Sequence, residues 1–211
     1  MTAIEEITAD MDWRLGELGV LKFIPYHYHM NQNHMNMLRR YIVPAIYALW
    51  EGFVKKTMLV YIREINKANI MAEALSMNIL LYTTKVDENL RLTTIRDKRP
   101  VQEKFIKNFR DFISLPVHIK PSVETESNVN LEVANKLLGA FNIEQLPENK
   151  YSGKLHKLLN YRNAIAHGDN SISVSEKDVA EFSDLIVDLM ADVVIRVEKG
   201  LDIKSYLEEA S

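Results

Sequence analysis

The chain of 211 residues carries 26 Lys and Arg residues against 29 Asp and Glu residues, a formal net charge of −3, and it contains no cysteine. This charge balance gives no overall attraction to nucleic acid, and the absence of cysteine excludes a disulfide framework and thiolate metal sites. Hydrophobic residues make up 47% of the chain, while glycine (7) and proline (6) are scarce. Such a composition favours long helices over a sheet rich in turns, so we predict an all-α protein.

The predicted domain organisation is simple. No linker rich in Pro, Gly or Ser divides the chain, so we predict a single domain over residues 1–211. The first residues, MTAIEEITADMDW, have neither the basic region nor the apolar region of a secretory signal, and long apolar runs of membrane-spanning length are absent from the sequence. We therefore expect a cytoplasmic protein that does not enter a membrane.

Apolar residues spaced at three and four predict helices along most of the chain. In the first half, the predicted helices cover about residues 3–22, 32–66, 70–84 and 97–113. Pro44 is expected to kink or divide the second of them. The segment near 115–127 is bounded by prolines, and we predict a loop or a short strand there.

The second half of the sequence is also predicted to be helical. These helices cover about residues 128–141, 153–167 and 175–199. Ser175 is the predicted N-cap of the last helix, because Asp178 follows it by three residues. Two long antiparallel helices joined by a short loop indicate a bundle, and we expect Trp13 and Trp50 to anchor its core.

Three histidines stand close together in PYHYHMNQNH: His27, His29 and His34. Residues two apart on a helix point in different directions, and no cysteine or acidic cluster nearby completes a tetrahedral set of ligands. We therefore predict a polar loop between helices and no metal site.

The stretch LLNYRNAIAHGDNS places Arg162 and His167 five positions apart in a mostly apolar helix that stops at Gly168. A glycine suits the left-handed residue after a helix, and a histidine near the carboxyl end is favoured by the helix dipole. Arg162 still needs a partner or a task. It either forms a buried pair with a carboxylate such as Glu51 or takes part in chemistry. Glu51 in turn either orients Arg162 or only satisfies its own helix.

The stretch YRNAIAHG resembles the Arg-Asn-x-x-x-His signature of the HEPN superfamily, near the end of the penultimate long helix of a bundle. Three further stretches, DMDWRLGEL, YALWEGFVKK and SNVNLEVANKLLGAF, resemble HEPN-like nucleases found near bacterial toxin–antitoxin and defence loci. The resemblance covers nearly the whole chain. It implies a HEPN-type bundle with an up-and-down four-helix core and extra helices.

The resemblance also implies an activity, that of a metal-independent endoribonuclease without a cofactor that cleaves RNA by attack of the 2′-hydroxyl. Arg162, Asn163 and His167 are the implied catalytic residues, with Glu51 as a supporting candidate. Five residues on a helix correspond to a rotation of about 140° and a rise of about 7.5 Å, so one chain offers a sparse site. A homodimer interface that joins two signatures would complete it. The surface expected to mediate this dimer includes Tyr161, Ala164, Ile165 and His167.

The RNA contacts are expected from basic residues. Residues 91–110 are strongly basic, although such a segment, judged alone, is more often a solvated helix face that keeps the protein soluble. The candidate contacts there and ahead of the signature are Arg96, Arg99, Lys104, Lys107, Lys154 and Lys157.

Two questions stay open at this stage. Some HEPN domains cut nothing, so the alternative function is a non-catalytic module that binds a nucleotide or a partner protein. Toxins that work with a nucleotidyltransferase antitoxin often carry a tyrosine two positions after the histidine, where this chain has Asp169. Control by that modification is therefore not expected, and an antitoxin of another kind or a regulatory protein stays open as a partner.

Overall fold

The computed structural model describes residues 1–86, 99–123, 125 and 128–208. Within these ranges the chain forms seven α-helices and a 3-10 helix at Ala72–Ala74, and no strand beyond isolated bridges. The helices are α1 Ala3–His27, α2 Gln32–Lys67, α3 Met77–Val86, α4 Arg99–Ile113, α5 Leu131–Ala140, α6 Glu148–Ala166 and α7 Glu176–Asp202. The prediction of an all-α protein is confirmed.

Two predicted boundaries differ from the structure. The third helix begins at Met77 and not near residue 70, because Leu75 is extended and forms an isolated bridge with Leu207. Near 115–127, the described residues form a loop whose extended part pairs through one bridge, from Pro116 to Met71. Helix α2 continues through Pro44 without a break.

The chain is organised as two compact units. The first comprises Met1–Thr57, Thr125–Asn135 and Leu146–Ile195, and it contains all the predicted catalytic residues. The second comprises Met58–Glu124, Lys136–Gln145 and Arg196–Ser211, and it contains the basic segment around α4. Helices α2, α5 and α7 each contribute residues to both units.

In the first unit, α1 and α2 run antiparallel. The Lys56 ammonium lies 2.6 Å from a Glu6 carboxylate oxygen, whereas Arg14, further along α1, donates to the carbonyl of Leu49, which is earlier on α2. Arg14 can cross α2 closely because Gly52 has no side chain: a Cβ there would lie 2.6 Å from its guanidinium. This contact joins two of the stretches on which the family resemblance depends.

Helix α6 is antiparallel to both α2 and α7 in the same unit. The guanidinium of Arg162 lies over the Tyr47 ring, and Arg40, earlier on α2, reaches the carbonyl of Asp169 beyond the end of α6. Contacts between α6 and α7 have the same sense: Lys150 contacts Asp192, whereas Lys157 and Tyr161, later on α6, contact Glu181 and Phe182, earlier on α7. The first unit is therefore built on an up-and-down arrangement of α1, α2, α6 and α7.

The core of the first unit follows the predicted apolar stripes, with one exception. The stripe of α7 is buried at Val179, Phe182, Ile186, Leu189 and Val193, and Trp50 is fully buried. Trp13, however, is 57% exposed, so its assignment to the core was wrong. Ile7 and Leu18 define the buried face of α1, and Trp13 lies about 120° or more from both around the helix axis.

The second unit has its own core, which includes Ile62, Ile65, Ile79, Ile119 and Phe141. Asn66 of α2 holds the loop that follows α4: its side chain accepts from the Ile119 N–H at 2.8 Å and donates to the Ile119 carbonyl at 2.9 Å. Helix α4 has no buried residue, and its Phe105 and Phe109 rings stack at 6.0 Å.

Candidate functional site

The end of α6 is a Schellman motif that places His167 at the C-cap. Gly168 has φ +80° and its N–H donates to the Ile165 carbonyl, while the N–H of Asp169 donates to the Ala164 carbonyl. The predicted left-handed glycine is therefore present. His167 itself is exposed, so the helix end presents its imidazole at the surface of the first unit.

The loop after the signature is held from α2. Arg40 donates to the carbonyls of Asp169 at 2.7 Å and Ile172 at 3.1 Å, which fixes the chain directly after His167. A backbone hydrogen bond from Ser171 to the Asp169 carboxylate lowers the pKa of that carboxyl below its usual value. Sequence reasoning missed Arg40, because nothing in its local sequence distinguishes it from a surface arginine.

Arg162 is partly exposed and its hydrogen-bond partners are neutral. Its Nη1 donates to the amide oxygen of Asn128 at 2.6 Å and to that of Asn163 at 2.7 Å. Its guanidinium carbon lies 4.4 Å from the centre of the Tyr47 ring, in a cation–π contact. Within the part of the chain that the structure describes, Arg162 has no salt bridge, and the pair with Glu51 that we considered does not form.

Glu51 acts on its own helix and on Tyr47. Its carboxylate accepts from Lys55 at 2.7 Å. Burial tends to raise the pKa of Glu51, but hydrogen bonds from Lys55 and Tyr47 and the charges of Lys55 and Arg162 outweigh burial and lower it. Glu51 therefore influences Arg162 through its charge and through the tyrosine beneath the guanidinium.

A buried clamp positions the segment that carries Asn128. The Tyr47 hydroxyl accepts from the backbone N–H of Val129 at 2.7 Å, and the Trp50 indole donates to the carbonyl of the same residue at 3.0 Å. Burial raises the pKa of Tyr47 to about 12. On the other side, Asn130 caps α5 by accepting from the N–H of Val133 at 2.8 Å. Asn128 is thus held between fixed residues and Arg162.

Sequence reasoning missed Asn128 as well. The available signal was the buried pair of aromatics with polar tips, Tyr47 and Trp50, three residues apart in YALWEGF. Such side chains need hydrogen-bond partners when buried, and SNVN supplies them. Which asparagine then reaches Arg162 depends on the tertiary fold.

The two lysines predicted on α6 lie in different surroundings. Lys157 forms salt bridges with Asp178 at 2.8 Å and Glu181 at 3.0 Å, and these two hydrogen bonds raise its pKa. Lys154 is exposed on the helix. Because two carboxylates already occupy Lys157, we leave it out of the proposed RNA contacts.

The basic segment is described only in part. Arg96 lies outside the described residues. Arg99 is exposed and pairs with Glu103 at 2.8 Å, and both Lys104 and Lys107 are exposed on α4. Arg99, Lys104 and Lys107 all belong to the second unit.

The three clustered histidines have aromatic and amide neighbours. The His27 ring lies 5.6 Å from the Phe23 ring and 4.8 Å from the Tyr28 ring, and His34 is 3.3 Å from the Asn31 side-chain nitrogen. In the described ranges, no three His, Cys, Asp or Glu side chains are grouped so that they could hold a metal ion.

The predicted dimer surface needs a correction. Ile165 is only 6% exposed and belongs to the core of the first unit, so it is not available to a second copy. Tyr161 packs edge-on against Phe182 at 5.4 Å. The side of α6 that remains exposed is lined by Gly153, His156, Asn160 and His167.

Comparison with known protein families identifies a match over nearly the whole sequence. The HEPN_MAE_28990-like HEPN family matches residues 3–206, which include the signature, Tyr47, Asn128 and most of both units. No curated protein and no solved structure matches the chain. No helix among the described residues is long and apolar enough to cross a membrane. The family match indicates a nuclease-like or RNA-related module.

Proposed function

Because the chain belongs to the HEPN_MAE_28990-like HEPN family, we propose that it is a metal-independent endoribonuclease that acts as a toxin or defence effector in the cytoplasm. In this proposal residues 1–211 form one HEPN domain. The observation that carries it is the state of the signature: Arg162 is held by neutral acceptors, and His167 is exposed at the end of the same helix. A positive charge without a carboxylate partner and an accessible imidazole are the groups that phosphodiester cleavage needs.

The reaction transfers the phosphoryl group of the RNA backbone from the 5′-oxygen to the 2′-oxygen. The 2′-hydroxyl oxygen attacks the adjacent phosphorus while the bond from phosphorus to the 5′-oxygen breaks. One imidazole removes the proton of the 2′-hydroxyl, and a second, protonated imidazole gives a proton to the departing 5′-oxygen. The products are a 2′,3′-cyclic phosphate and a 5′-hydroxyl, so DNA, which lacks the attacking group, is not a substrate.

The arginine and the asparagine have separate roles in this scheme. Arg162 binds the non-bridging oxygens of the phosphate and stabilises the charge of the pentacoordinate transition state. Asn163 holds the guanidinium through its amide oxygen. A histidine supplies both proton transfers at neutral pH because its ordinary pKa is near 6.5.

Two imidazoles at one phosphate require two copies of the chain. One chain supplies a single His167, five residues from Arg162, so we propose a homodimer in which the exposed sides of two α6 helices meet across a two-fold axis. On that side Gly153 has no side chain and Asn160 has a short one, which permits close approach of the helices. A stable dimer of this kind buries more than about 1,000 Å².

The test is incubation of the purified protein with RNA in EDTA, with wild type beside His167→Ala. We expect wild type to release fragments with 2′,3′-cyclic phosphate ends and the variant to lose at least about 100-fold in rate. His118→Ala is the matched control, since His118 is exposed in the second unit, does not belong to the proposed dimer surface and is expected to be dispensable. Intact RNA with wild type, or equal cleavage by both histidine variants, contradicts the proposal and favours a module that binds a nucleotide or a partner protein.

A further inference from the structure

The surroundings of Arg162 differ from those of Arg14, a largely covered arginine in the same unit. Arg14 forms a salt bridge with Asp10 at 2.7 Å, so a carboxylate cancels its charge. Arg162 is bound on Nη1 by two amide oxygens, and among the described residues its Nε and Nη2 have no hydrogen-bond partner. Amide oxygens fix a guanidinium in place without neutralising it.

The position of Asn128 is itself over-determined by the fold. Val129 is fully buried, and both of its backbone groups are bound by side chains of α2. Asn130 is committed to the cap of α5. The segment therefore has little freedom to move away, and the Asn128 amide oxygen stays 2.6 Å from Nη1 of Arg162.

The carboxylate of Glu51, four residues after Tyr47 on α2, already has a hydrogen-bond partner of its own. Glu51 accepts from Lys55, and although burial raises its pKa, the hydrogen bonds of Lys55 and Tyr47 and the charges of Lys55 and Arg162 together outweigh burial and keep it below the usual value. The Tyr47 ring, rather than a carboxylate, is the surface on which the guanidinium rests. A ring face attracts a cation but leaves its net charge unchanged.

We propose that Asn128 is a positioning residue: it holds Arg162 with a neutral acceptor, so that the charge and the free edge of the guanidinium, Nε and Nη2, remain available to an RNA phosphate. The inference rests on the proposed function, because it takes RNA as the ligand of Arg162. It gives Asn128, which lies outside the Arg-Asn-x-x-x-His signature, a role in the site. The role concerns the availability of charge and is separate from the stability of the fold.

The test replaces Asn128 by aspartate, which keeps an acceptor oxygen at the same place and adds a negative charge. In Asn128→Asp we expect an ion pair with Arg162, an unchanged or higher Tm, and an affinity for 2′-O-methyl RNA at least about tenfold lower. The matched control is Asn130→Asp, which adds the same charge two residues away and retains a good N-cap. Its affinity is expected to stay within about twofold of wild type.

A double variant shows whether Asn128 acts through Arg162. In an Arg162→Ala background, Asn128→Asp is expected to cause no further loss of affinity, because the group that it neutralises is absent. Asn128→Ala serves if the aspartate variant does not fold; it is expected to lose about two- to fivefold in affinity, again only when Arg162 is present.

The outcomes separate this inference from the proposed function. Equal affinities of Asn128→Asp and Asn130→Asp, or full additivity with Arg162→Ala, overturn the inference even if wild type cleaves RNA. If wild type binds 2′-O-methyl RNA but leaves ordinary RNA intact, the proposed function fails, and a selective loss in Asn128→Asp still supports the role of Asn128. Wild type that does not bind the RNA contradicts both.

Discussion

Lys157 and Arg162 of helix α6 both contact aromatic rings, but one has acidic neighbours and the other has neutral hydrogen-bond partners. Lys157 lies 5.4 Å from the Phe182 ring centre and binds Asp178 and Glu181 on the side of α7. Arg162 lies over Tyr47 on the side of α2 and binds two amides. The first arrangement joins two helices of the bundle. The second leaves a cation without a salt bridge among the described residues, so its charge stays available to an anion.

The largest expected difference between the surroundings of Arg162 and those of Lys157 is in the rate of RNA cleavage. Arg162→Ala is expected to lower the rate of RNA cleavage at least about 100-fold, because the phosphate loses its charge-assisted contact. Lys157→Ala is expected to leave the rate within about twofold and to lower the free energy of unfolding by about 1 kcal/mol or less, since its salt bridges are partly solvated. Single-turnover assays and chemical denaturation measure both. A Lys157 variant that is as inactive as the Arg162 variant removes the contrast.

Growth of a bacterial host shows the same contrast in a cell. We expect expression of the wild-type chain to arrest growth, whereas Arg162→Ala and His167→Ala relieve the arrest at equal protein levels. Lys157→Ala is expected to remain toxic, because its site is unaltered. Colony counts after induction, with immunoblots for protein level, measure the effect. Relief by all three variants would indicate that general destabilisation, and not chemistry, explains the result.

The buried clamp that Tyr47 and Trp50 form on Val129 can be weakened at Trp50, without a change to the ring that Arg162 contacts. Trp50→Phe removes the indole donor from the buried carbonyl of Val129, and we expect the free energy of unfolding to fall by about 1–3 kcal/mol. Trp13→Phe is the matched control: Trp13 is 57% exposed, and the change is expected to cost about 0.5 kcal/mol or less. Urea denaturation followed by circular dichroism measures both variants. Equal effects contradict a specific role for the indole hydrogen bond.

A smaller effect is expected at the basic segment of the second unit. If Lys104 and Lys107 on α4 contact RNA, reversal of both charges should flatten the dependence of log affinity on log salt by about 0.7 for each lost phosphate contact. The same reversal at Lys67, which pairs with Glu64 at 2.8 Å, is the control for a general change of charge. The turnover rate at saturating RNA is expected to be unchanged. An identical salt dependence in all three proteins identifies α4 as a solvated face.

The smallest expected effect is a dependence of stability on pH at Glu51. Because its pKa is lower in the folded protein than the ordinary 4.5, its contribution is complete above that value and is lost as the pH falls through the lower, folded-state value. The difference in the free energy of unfolding between wild type and Glu51→Gln should therefore be constant near neutral pH, at a few tenths of a kcal/mol to about 1 kcal/mol, and shrink below about pH 4.5. A difference that grows towards acid contradicts the assignment.

The helices were predictable because their information is local. The apolar spacing of α7, the left-handed Gly168 and the Ser175 cap could all be read from neighbouring residues, and Ser175 and Asp178 do exchange the hydrogen bonds of a capping box. Trp13 was misassigned because a large aromatic was placed in the core without regard to its side of the helix.

The candidate site was predictable only at its signature. Arg162, Asn163 and His167 lie within six positions of sequence, and the resemblance identified them. Asn128 and Arg40 could not be found in the same way, since each contacts the signature region across many residues of sequence and neither lies in a periodic pattern. Hydrogen bonds of this kind are determined by the packing of helices, which the sequence pattern does not specify.

The clamp on Val129 also has a consequence for the order in which the chain is synthesised. Tyr47 precedes Val129 by 82 residues, and Asn128 precedes Arg162 by 34, so three distant parts of the polypeptide must meet before the guanidinium is held. Contacts of such long sequence separation form late, after the cost of closing the intervening loops. A nascent chain that ends before Arg162 lacks the signature altogether. A ribosome that makes this protein therefore carries no assembled site until the end of α6 has been translated.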